Sequence, residues 1–249
     1  MPVTVHQFPC LSDNYGFLVR DAATGRTACI DTPDAAAILA TLNKLGWILD
    51  LILNTHWHPD HAGGNEAVKA ATGATIVGPA EVTRIAPLDR VVVGGEVVML
   101  GETRFDVLDV GGHTLGHIAY HDAADAIAFV GDTLFALGCG RLFEGTPEQM
   151  WDSLSRLTDL PDETTVYCAH EYTASNARFA LSVDDSPALK TRAEAIFAAR
   201  ERGEATVPTS IAAEKATNPF LRAPLLRPDA RTPAQAFGEI RAAKDSFKG

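Results

Sequence analysis

The sequence predicts an α+β protein with a mixed-sheet domain over residues 1–170 and a small all-helical domain over residues 171–249. Up to about residue 170, short β-branched and aromatic runs are broken by Gly, Asp and Asn, with a few helical stretches between them. Beyond Glu171 the strand-like runs stop and helical periodicity follows. The charge changes at the same point: residues 1–170 carry 9 Lys/Arg and 22 Asp/Glu (−13), and residues 171–249 carry 12 and 10 (+2).

Helix starts and apolar periodicity define the individual elements. Thr146-Pro147-Glu148-Gln149 is a capping box with proline at the first helical position, and Thr232-Pro233-Ala234-Gln235 predicts a second one. The predicted strands are Thr4–Phe8, Tyr15–Arg20, Thr27–Asp31, Leu49–Asn54, Thr75–Val77, Glu96–Leu100, Arg104–Val110, Ile118–His121, Ala126–Val130 and Thr165–Ala169. The predicted helices are Ala35–Leu45, Glu66–Ala71, Pro147–Leu157, Tyr172–Leu181, Pro187–Arg202, Ile211–Ala216 and Pro233–Phe247.

Composition and charge restrict the class of protein. A hydrophobic fraction of 46% with 21% charged residues is ordinary for a soluble globular chain of 249 residues. No apolar stretch reaches the roughly 20 residues that span a bilayer, and the first ten residues lack the features of a signal peptide. A net charge of −11 disfavours nucleic acid as a partner. Four cysteines without a CxxC pair fit a reducing compartment. We therefore expect a cytoplasmic monomer that acts on a small molecule, with no membrane or nucleic-acid partner.

The strongest chemical signal is Thr55-His56-Trp57-His58-Pro59-Asp60-His61-Ala62-Gly63-Gly64-Asn65, directly after the apolar run 51–53. A loop at a strand end can turn His56 and His58 toward one point, and Asp60 and His61 toward a second. One metal ion cannot comfortably take all four ligands from so short a loop, so the spacing suggests two ions. A His-rich surface loop is the alternative, and the Gly-Gly that allows close backbone approach counts against it.

Three further apolar runs end in a potential ligand. His113 follows the run 107–110, Asp132 follows 127–130, and His170 follows 166–169. Ligands at several strand ends would meet at one edge of a sheet, where sites in layered α/β proteins form. Five imidazoles and two carboxylates suit zinc, iron or manganese and disfavour calcium or magnesium. Seven ligands divide as three, three and one bridge, and Asp132 is the natural bridge.

Together, THWHPDHAGGN, GGHTLGH, FVGD and CAHE resemble the metallo-β-lactamase superfamily. Within it, the chain resembles the hydroxyacylglutathione hydrolases (glyoxalase II) from end to end, through CGRLFEGT, HEYT, NPFLR and the ending RAAKDSFK. The resemblance implies an αββα sandwich as catalytic domain, followed by a helical substrate-binding domain. It also implies cleavage of S-(2-hydroxyacyl)glutathione thioesters in methylglyoxal detoxification.

The resemblance further implies roles for individual residues. One metal ion would take His56, His58 and His113, and the other would take Asp60, His61 and His170. Asp132 and a hydroxide would bridge them, so that Asp60 and Asp132 serve catalysis, and zinc is the expected metal. Position 143 is tyrosine in some members, so phenylalanine here removes one hydroxyl donor. The residues expected to hold the glutathione moiety are Arg141, Phe143, Tyr172, Arg241 and Lys244.

Other readings remain open. A mononuclear-iron persulfide dioxygenase would leave half of the ligand set unused, and a lactonase or β-lactamase would leave CGRLFEGT and the basic C-terminal helix unexplained. A nucleic-acid-processing hydrolase would need a basic groove, and a non-catalytic metal-binding module would not need an open site. His117 is expected to support the loop that presents His113, Trp57 to pack under the metal-binding loop, and Asp31 to support that loop or serve another role.

Overall fold

The apolar runs of the sequence become strands in the computed structural model, which describes residues 3–249. Met1 and Pro2, which begin the segment compared with a signal peptide, lie outside the described residues. The chain forms two compact units. Unit 1 runs to Asp109 and resumes over Gly116–Gly131, and unit 2 comprises Val110–Leu115 and Asp132–Gly249. The domain boundary predicted at residue 170 is a different division of the chain and stays a prediction.

Unit 1 contains one complete six-stranded β-sheet, four strands of a second sheet, and the helices that cover the first sheet. Its strands are β1 (Thr4–Cys10), β2 (Asn14–Arg20), β3 (Thr27–Ile30), β4 (Leu51–Leu53), β5 (Thr75–Gly78), β6 (Arg90–Val91), β7 (Val97–Leu100), β8 (Thr103–Asp109), β9 (Ile118–Asp122) and β10 (Ile127–Gly131). Its helices are α1 (Ala35–Leu45), α2 (Pro59–Ala62) and α3 (Asn65–Thr72), with a 3₁₀ turn at Ala80–Arg84.

The first sheet has the order β1–β2–β3–β4–β5–β6. Strands β1 to β3 pair antiparallel, and β3 to β6 pair parallel. Parallel neighbours need a crossover, which α1 supplies between β3 and β4 and α3 supplies between β4 and β5. The carboxyl ends of β3 and β4 therefore share one sheet edge. Asp31 follows β3 at this edge, and the segment 54–61 follows β4.

Apolar packing holds the layers of unit 1 together. Helix α1 begins at Asp34, whose carboxylate accepts from the backbone N–H groups of Ala36 and Ala37. In the second sheet, β7 to β10 pair antiparallel in chain order. Phe17 of the first sheet packs against Phe129 of the second, with ring centroids 5.7 Å apart. The buried residues between the first sheet and its helices include Phe8, Leu18, Cys29, Ile38, Leu42, Ile52, Val68 and Ile76.

Unit 2 is mostly helical. Phe220 packs between Phe179 and Phe237, at centroid distances of 5.8 and 6.2 Å. The three rings are almost completely buried and join α5, α9 and the segment before α8. Its helices are α4 (Pro147–Thr158), α5 (Thr173–Val183), α6 (Pro187–Glu201), α7 (Ile211–Thr217), α8 (Ala223–Leu226) and α9 (Pro233–Ser246), and its strands are β11 (Leu134–Phe135), β12 (Gly138–Cys139), β13 (Thr165–Cys168) and β14 (Thr209–Ser210).

All ten predicted strands and all seven predicted helices are present, with ends shifted by up to about two residues. The capping box at Thr146 is confirmed. The expectation that strands stop after Glu171 is wrong, because β14 pairs antiparallel with β13. A two-residue strand is too short to show a period of two. Within residues 3–249, the structure has no helix that is long and apolar enough to cross a membrane.

The second capping box is only half formed. The Thr232 hydroxyl accepts from the Gln235 N–H at 3.1 Å, as predicted. The Gln235 carboxamide oxygen, however, accepts from the Arg231 N–H at 3.1 Å, and its nitrogen donates to Glu239. The Gln235 side chain therefore bonds to Arg231 and Glu239 and not, as a complete capping box requires, to the Thr232 N–H.

Candidate metal centre and substrate-binding residues

The metal-binding loop of unit 1, residues 56–61, leaves the end of β4 and enters the short helix α2. His56 and His58 offer ligand atoms within 4.8 Å of one another, and Asp60 and His61 offer a second such pair. The predicted pairing within the loop is thus present. His56 and His61 are almost completely buried, whereas His58 and Asp60 are partly exposed.

Asp31 orients the imidazoles of this loop. Its Oδ2 accepts from His61 Nδ1 at 2.8 Å and from the Thr55 hydroxyl at 2.8 Å, and its Oδ1 accepts from the Thr55 N–H at 2.7 Å. Thr55 Oγ1 in turn lies 3.1 Å from His56 Nδ1, which we assign as donor. These bonds place the Nδ1 protons of both histidines on the protein side and leave each Nε2 lone pair for a ligand. Asp31 also stands near His56 and His61 as a possible metal ligand, but its oxygens already accept three hydrogen bonds.

We expect Asp31→Asn to weaken metal binding about tenfold, within the range typical for residues that orient metal ligands. The carboxamide keeps one acceptor oxygen, so it accepts either from His61 and the Thr55 hydroxyl or from the Thr55 N–H, and not from all three as the carboxylate does. The dissociation constant measured against a competing chelator tests this. Asp50→Asn is a matched control, because Asp50 also accepts a backbone N–H, from Thr27, in the same unit. Unchanged metal affinity in Asp31→Asn would contradict the role of Asp31.

His117, Arg84 and Asn14 contact side chains of the loop. The His117 ring, 1% exposed, stacks on His56 with centroids 4.5 Å apart, so it supports His56. Its predicted support of the loop that presents His113 stays a prediction. Trp57 packs against His58, with centroids 4.9 Å apart, and receives the Arg84 guanidinium over its ring. Asn14 Nδ2 donates to Asp60 Oδ2 at 3.2 Å.

The remaining predicted ligands lie together in unit 2. Asp132 follows β10 in the sequence, and His113 and His170 flank it in space. Asp132 Oδ2 lies 3.4 Å from His113 Nε2, and Oδ1 lies 3.3 Å from His170 Nε2. Each carboxylate oxygen thus faces a different imidazole, and the bridging role of Asp132 stays a prediction. All three residues are buried.

Unit 2 also orients its two histidines. His113 Nδ1 lies 2.9 Å from the backbone oxygen of Arg141, to which it donates in the tautomer that frees Nε2. The Tyr172 ring stacks on His170 at 4.7 Å with an interplanar angle of 2°. Both contacts come from residues predicted to bind substrate. Phe143 lies beside His113 with ring centroids 5.2 Å apart, and 62% of it is exposed.

Lys244 belongs to a basic cluster with Arg141, Arg178 and Arg241. Its ammonium donates to the backbone oxygen of Ser175 at 3.2 Å. Burial, and then the positive charges of Arg241, Arg178 and Arg141, lower the Lys244 pKa to about 8. An anion placed among these cations would relieve their repulsion. The cluster therefore favours an acidic ligand even though the whole chain is acidic.

Arg241 faces the protein more than solvent. Its Nη1 donates to the Cys139 carbonyl at 3.0 Å, its Nη2 pairs with Asp245 at 2.8 Å, and its guanidinium lies over the Phe220 ring. Only 5% of Arg241 is exposed. Burial raises the pKa of the Cys139 thiol to about 11, and the charge of Arg241 opposes this shift. Arg141, in contrast, exposes 66% of its side chain.

Comparisons with known proteins show the family of the chain. A family model for the metallo-β-lactamase superfamily matches residues 30–170, and a model for the hydroxyacylglutathione hydrolase C-terminus matches residues 171–247. The chain is 56% identical over 248 residues to the hydroxyacylglutathione hydrolase of Erythrobacter litoralis, covering 98% of this chain and 99% of that protein. The chain belongs to the hydroxyacylglutathione hydrolase family. Its αββα fold class, with helices in the C-terminal region, follows from this membership.

Two solved structures share the fold of this hydroxyacylglutathione hydrolase family member. ETHE1 from Myxococcus xanthus superposes with a TM-score of 0.71 at 29% identity, covering 96% of this chain and 90% of that one. TTHA1623 in a di-iron-bound form gives a TM-score of 0.64 at 26% identity, covering 88% and 100%.

The His/Asp groups of this family member fit divalent metal ions. The donor set contains imidazoles and carboxylates, and the Nδ1 atoms of His56, His61 and His113 are engaged by the protein. The Nε2 atoms are then the expected donors to zinc, iron or manganese. The family fold and these groups together imply divalent metal ions.

Two residues that contact the metal-binding loop were not assigned to it from the sequence. Asn14, which donates to Asp60, was given no role, and the role of Asp31 was left open. A carboxylate directly after β3, on the edge where β4 also ends, is the signal that could have assigned Asp31 to the loop.

Proposed function

We propose that the protein hydrolyses S-(2-hydroxyacyl)glutathione thioesters, converting S-D-lactoylglutathione to D-lactate and glutathione in methylglyoxal detoxification. The observation that carries this proposal is the nearly full-length identity of 56% to a hydroxyacylglutathione hydrolase. The basic cluster supports it, because glutathione carries two carboxylates and charge-assisted hydrogen bonds are the strong ones. A small acyl thioester without the peptide has no carboxylate that this cluster could bind.

We propose that His56, His58 and His113 hold one divalent ion and that Asp60, His61 and His170 hold a second, with Asp132 shared by both. When bound, such ions supply hydroxide at neutral pH and polarise the thioester carbonyl. Asp31, Thr55 and the Arg141 carbonyl keep the ligand histidines in the tautomer that binds metal. The thiolate leaving group has a reference pKa of about 8.5 and needs no general acid.

For the substrate, we propose that Lys244 contacts the terminal carboxylate of glutathione and that the positive charge of the buried Arg241 also attracts this carboxylate. Tyr172 and Phe143 adjoin His170 and His113, so they would line the path from the peptide to the thioester. Arg141, the most exposed of the basic residues named here, would contact the peptide. Phe143 can contribute only apolar contact, since it has no hydroxyl.

The experiment that tests the function compares substrates on the purified, metal-loaded protein. We expect kcat/KM for S-D-lactoylglutathione to exceed that for S-lactoyl-N-acetylcysteamine by at least about tenfold, the worth of one charge-assisted contact. Glutathione persulfide with an oxygen electrode, an acyl-homoserine lactone and a β-lactam test the other chemistries of the superfamily. Oxygen uptake, or a lactone or β-lactam turned over faster than the thioester, would overturn the proposal.

We predict two metal ions per chain after metal-replete expression, with zinc the expected metal. Elemental analysis measures the stoichiometry, and Asp60→Ala should lower it toward one, because it removes a ligand of one ion only. Glu66→Ala, an exposed carboxylate next to the loop, is the control and should leave the value unchanged. A stoichiometry of one in the parent protein, unaltered by Asp60→Ala, would exclude the dinuclear centre.

We predict that KM for the glutathione thioester rises as the pH increases through about 8, the pKa of Lys244. Lys244 is charged below that pH and attracts the carboxylate, and above it this attraction is lost. The charged groups that face Lys244 are Arg141, Arg178 and Arg241, with Asp245 acting in the opposite sense. Steady-state kinetics from about pH 7 to about pH 9.5 test this. Lys244→Arg keeps its charge, so the same rise in that variant would contradict the assignment.

We also propose a monomeric cytoplasmic protein. Within residues 3–249 the four cysteines are free and buried, which suits a reducing compartment. Light scattering of the purified protein tests the monomer.

A further inference from the structure

The segment between Asp132 and Arg141 is held by buried side chains from distant parts of unit 2. Strands β11 and β12 pair through Leu134–Cys139 and Phe135–Gly138 and form the 134–139 hairpin. Its turn residue Leu137 has a φ of 56°, a conformation that leucine rarely adopts without support from its surroundings.

Three side chains supply that support. Asn176 donates to the Ala136 carbonyl at 3.1 Å. Asn218 donates to the carbonyls of Phe135 and Gly138 at 3.2 and 3.0 Å. Glu214 Oε2 accepts from the Leu137 N–H at 2.9 Å and from Asn218 at 2.9 Å. Each of the four consecutive residues 135–138 therefore has a backbone group bonded to one of these side chains.

Glu214 is the centre of this network. It is completely buried, and both of its oxygens are used. Oε1 accepts from the Arg192 guanidinium and from the Thr209 hydroxyl, and Oε2 faces the hairpin. Four donors around one side chain require a carboxylate, because a carboxamide has only one acceptor oxygen. A structural ion pair alone would not explain the bond to Leu137.

The hairpin connects this network to the residues of the site. The Cys139 carbonyl accepts from Arg241 and so fixes the guanidinium next to Lys244. The Phe135 ring packs edge-on against Tyr172 and His170, at 5.5 and 6.0 Å. A displaced hairpin would move both the charge of Arg241 and the ring beside Tyr172.

We propose that Glu214 is a positioning residue for glutathione binding, acting through the 134–139 hairpin and the Cys139 carbonyl on Arg241. The consequence for glutathione rests on the function proposed above, whereas the fixing of the hairpin does not.

The test compares Glu214→Gln with Asp184→Asn. Asp184 is a matched control, because it is also buried, pairs with an arginine (Arg222) and accepts a backbone N–H (Ser186), but does not contact the hairpin. Glu214→Gln should raise the dissociation constant of glutathione and KM by about tenfold, the loss of one charge-assisted contact. Its kcat should stay within about twofold and its metal content unchanged. Asp184→Asn should leave all of these values within about twofold, whatever it does to thermal stability.

A second measurement does not depend on the substrate. Cys139 lies in the hairpin and is 5% exposed, and Cys29 in unit 1 is fully buried. Glu214→Gln and the milder Asn176→Ala should speed alkylation of Cys139, mapped by mass spectrometry, by about tenfold relative to Cys29. Unchanged alkylation of Cys139 in both variants, or an equal increase in Asp184→Asn, would overturn the role of Glu214. Faster alkylation with no binding of glutathione by the parent protein would instead refute the proposed function.

Discussion

Asp132→Ala is expected to abolish thioester hydrolysis, a loss well beyond the roughly 10- to 100-fold typical of residues that only orient metal ligands. The reason lies in its two oxygens, which face His113 at 3.4 Å and His170 at 3.3 Å. In the proposed dinuclear centre, removing the carboxylate would take a ligand from each ion and leave less negative charge beside both. Rates and metal content, measured together on the purified variant, test this prediction.

His117→Ala gives the comparison. Its ring stacks on His56 and supports a ligand without being one in our assignment, so the loss should stay within about 100-fold. Asp122→Ala controls for the loss of a buried aspartate, since Asp122 accepts from the Ala124 and Asp125 N–H groups and contacts no predicted ligand. Equal losses in Asp132→Ala and His117→Ala, with metal still bound, would show that the two roles are misassigned.

Lys244→Ala is expected to raise KM for S-D-lactoylglutathione roughly 10- to 100-fold at nearly constant kcat. A contact made equally with the substrate and the transition state changes KM alone, and one charge-assisted hydrogen bond contributes about 1.5–3 kcal/mol. Metal content should not change, and hydrolysis of a small thioester without the peptide should be little affected. Steady-state kinetics with both substrates test this.

Lys215→Ala is the control for Lys244→Ala, because Lys215 pairs with Asp162 at 2.7 Å on an exposed part of unit 2. Deleting α9 would be a poorer test. That helix buries Phe237 and Ile240 completely, so its loss would expose the core of unit 2. An unchanged KM in Lys244→Ala would remove the main support for glutathione recognition by the C-terminal helix.

The strands and long helices could be predicted because each carries its own periodicity and end signals. Helix α1 illustrates this, since Asp34 caps its start and Gly46, with a φ of 65°, ends it. The elements that escaped prediction are those of two to five residues, such as β14 and α8. Pairing with β13 makes β14 a strand, and no local pattern encodes that pairing.

The sequence by itself determined the family, the order of the elements and the candidate ligands, because the ligand types, their spacing and the preceding apolar runs are all local features. Only the tertiary structure decided how the side chains are used. It placed Asp31 against His61, turned the Arg241 guanidinium to the Cys139 carbonyl, and brought Glu214 to Leu137. These bonds join residues that are 30, 102 and 77 positions apart in the chain. A hydrogen bond depends on the distance and direction between two atoms, and for such pairs those are set by the packing of whole elements, which no single segment contains.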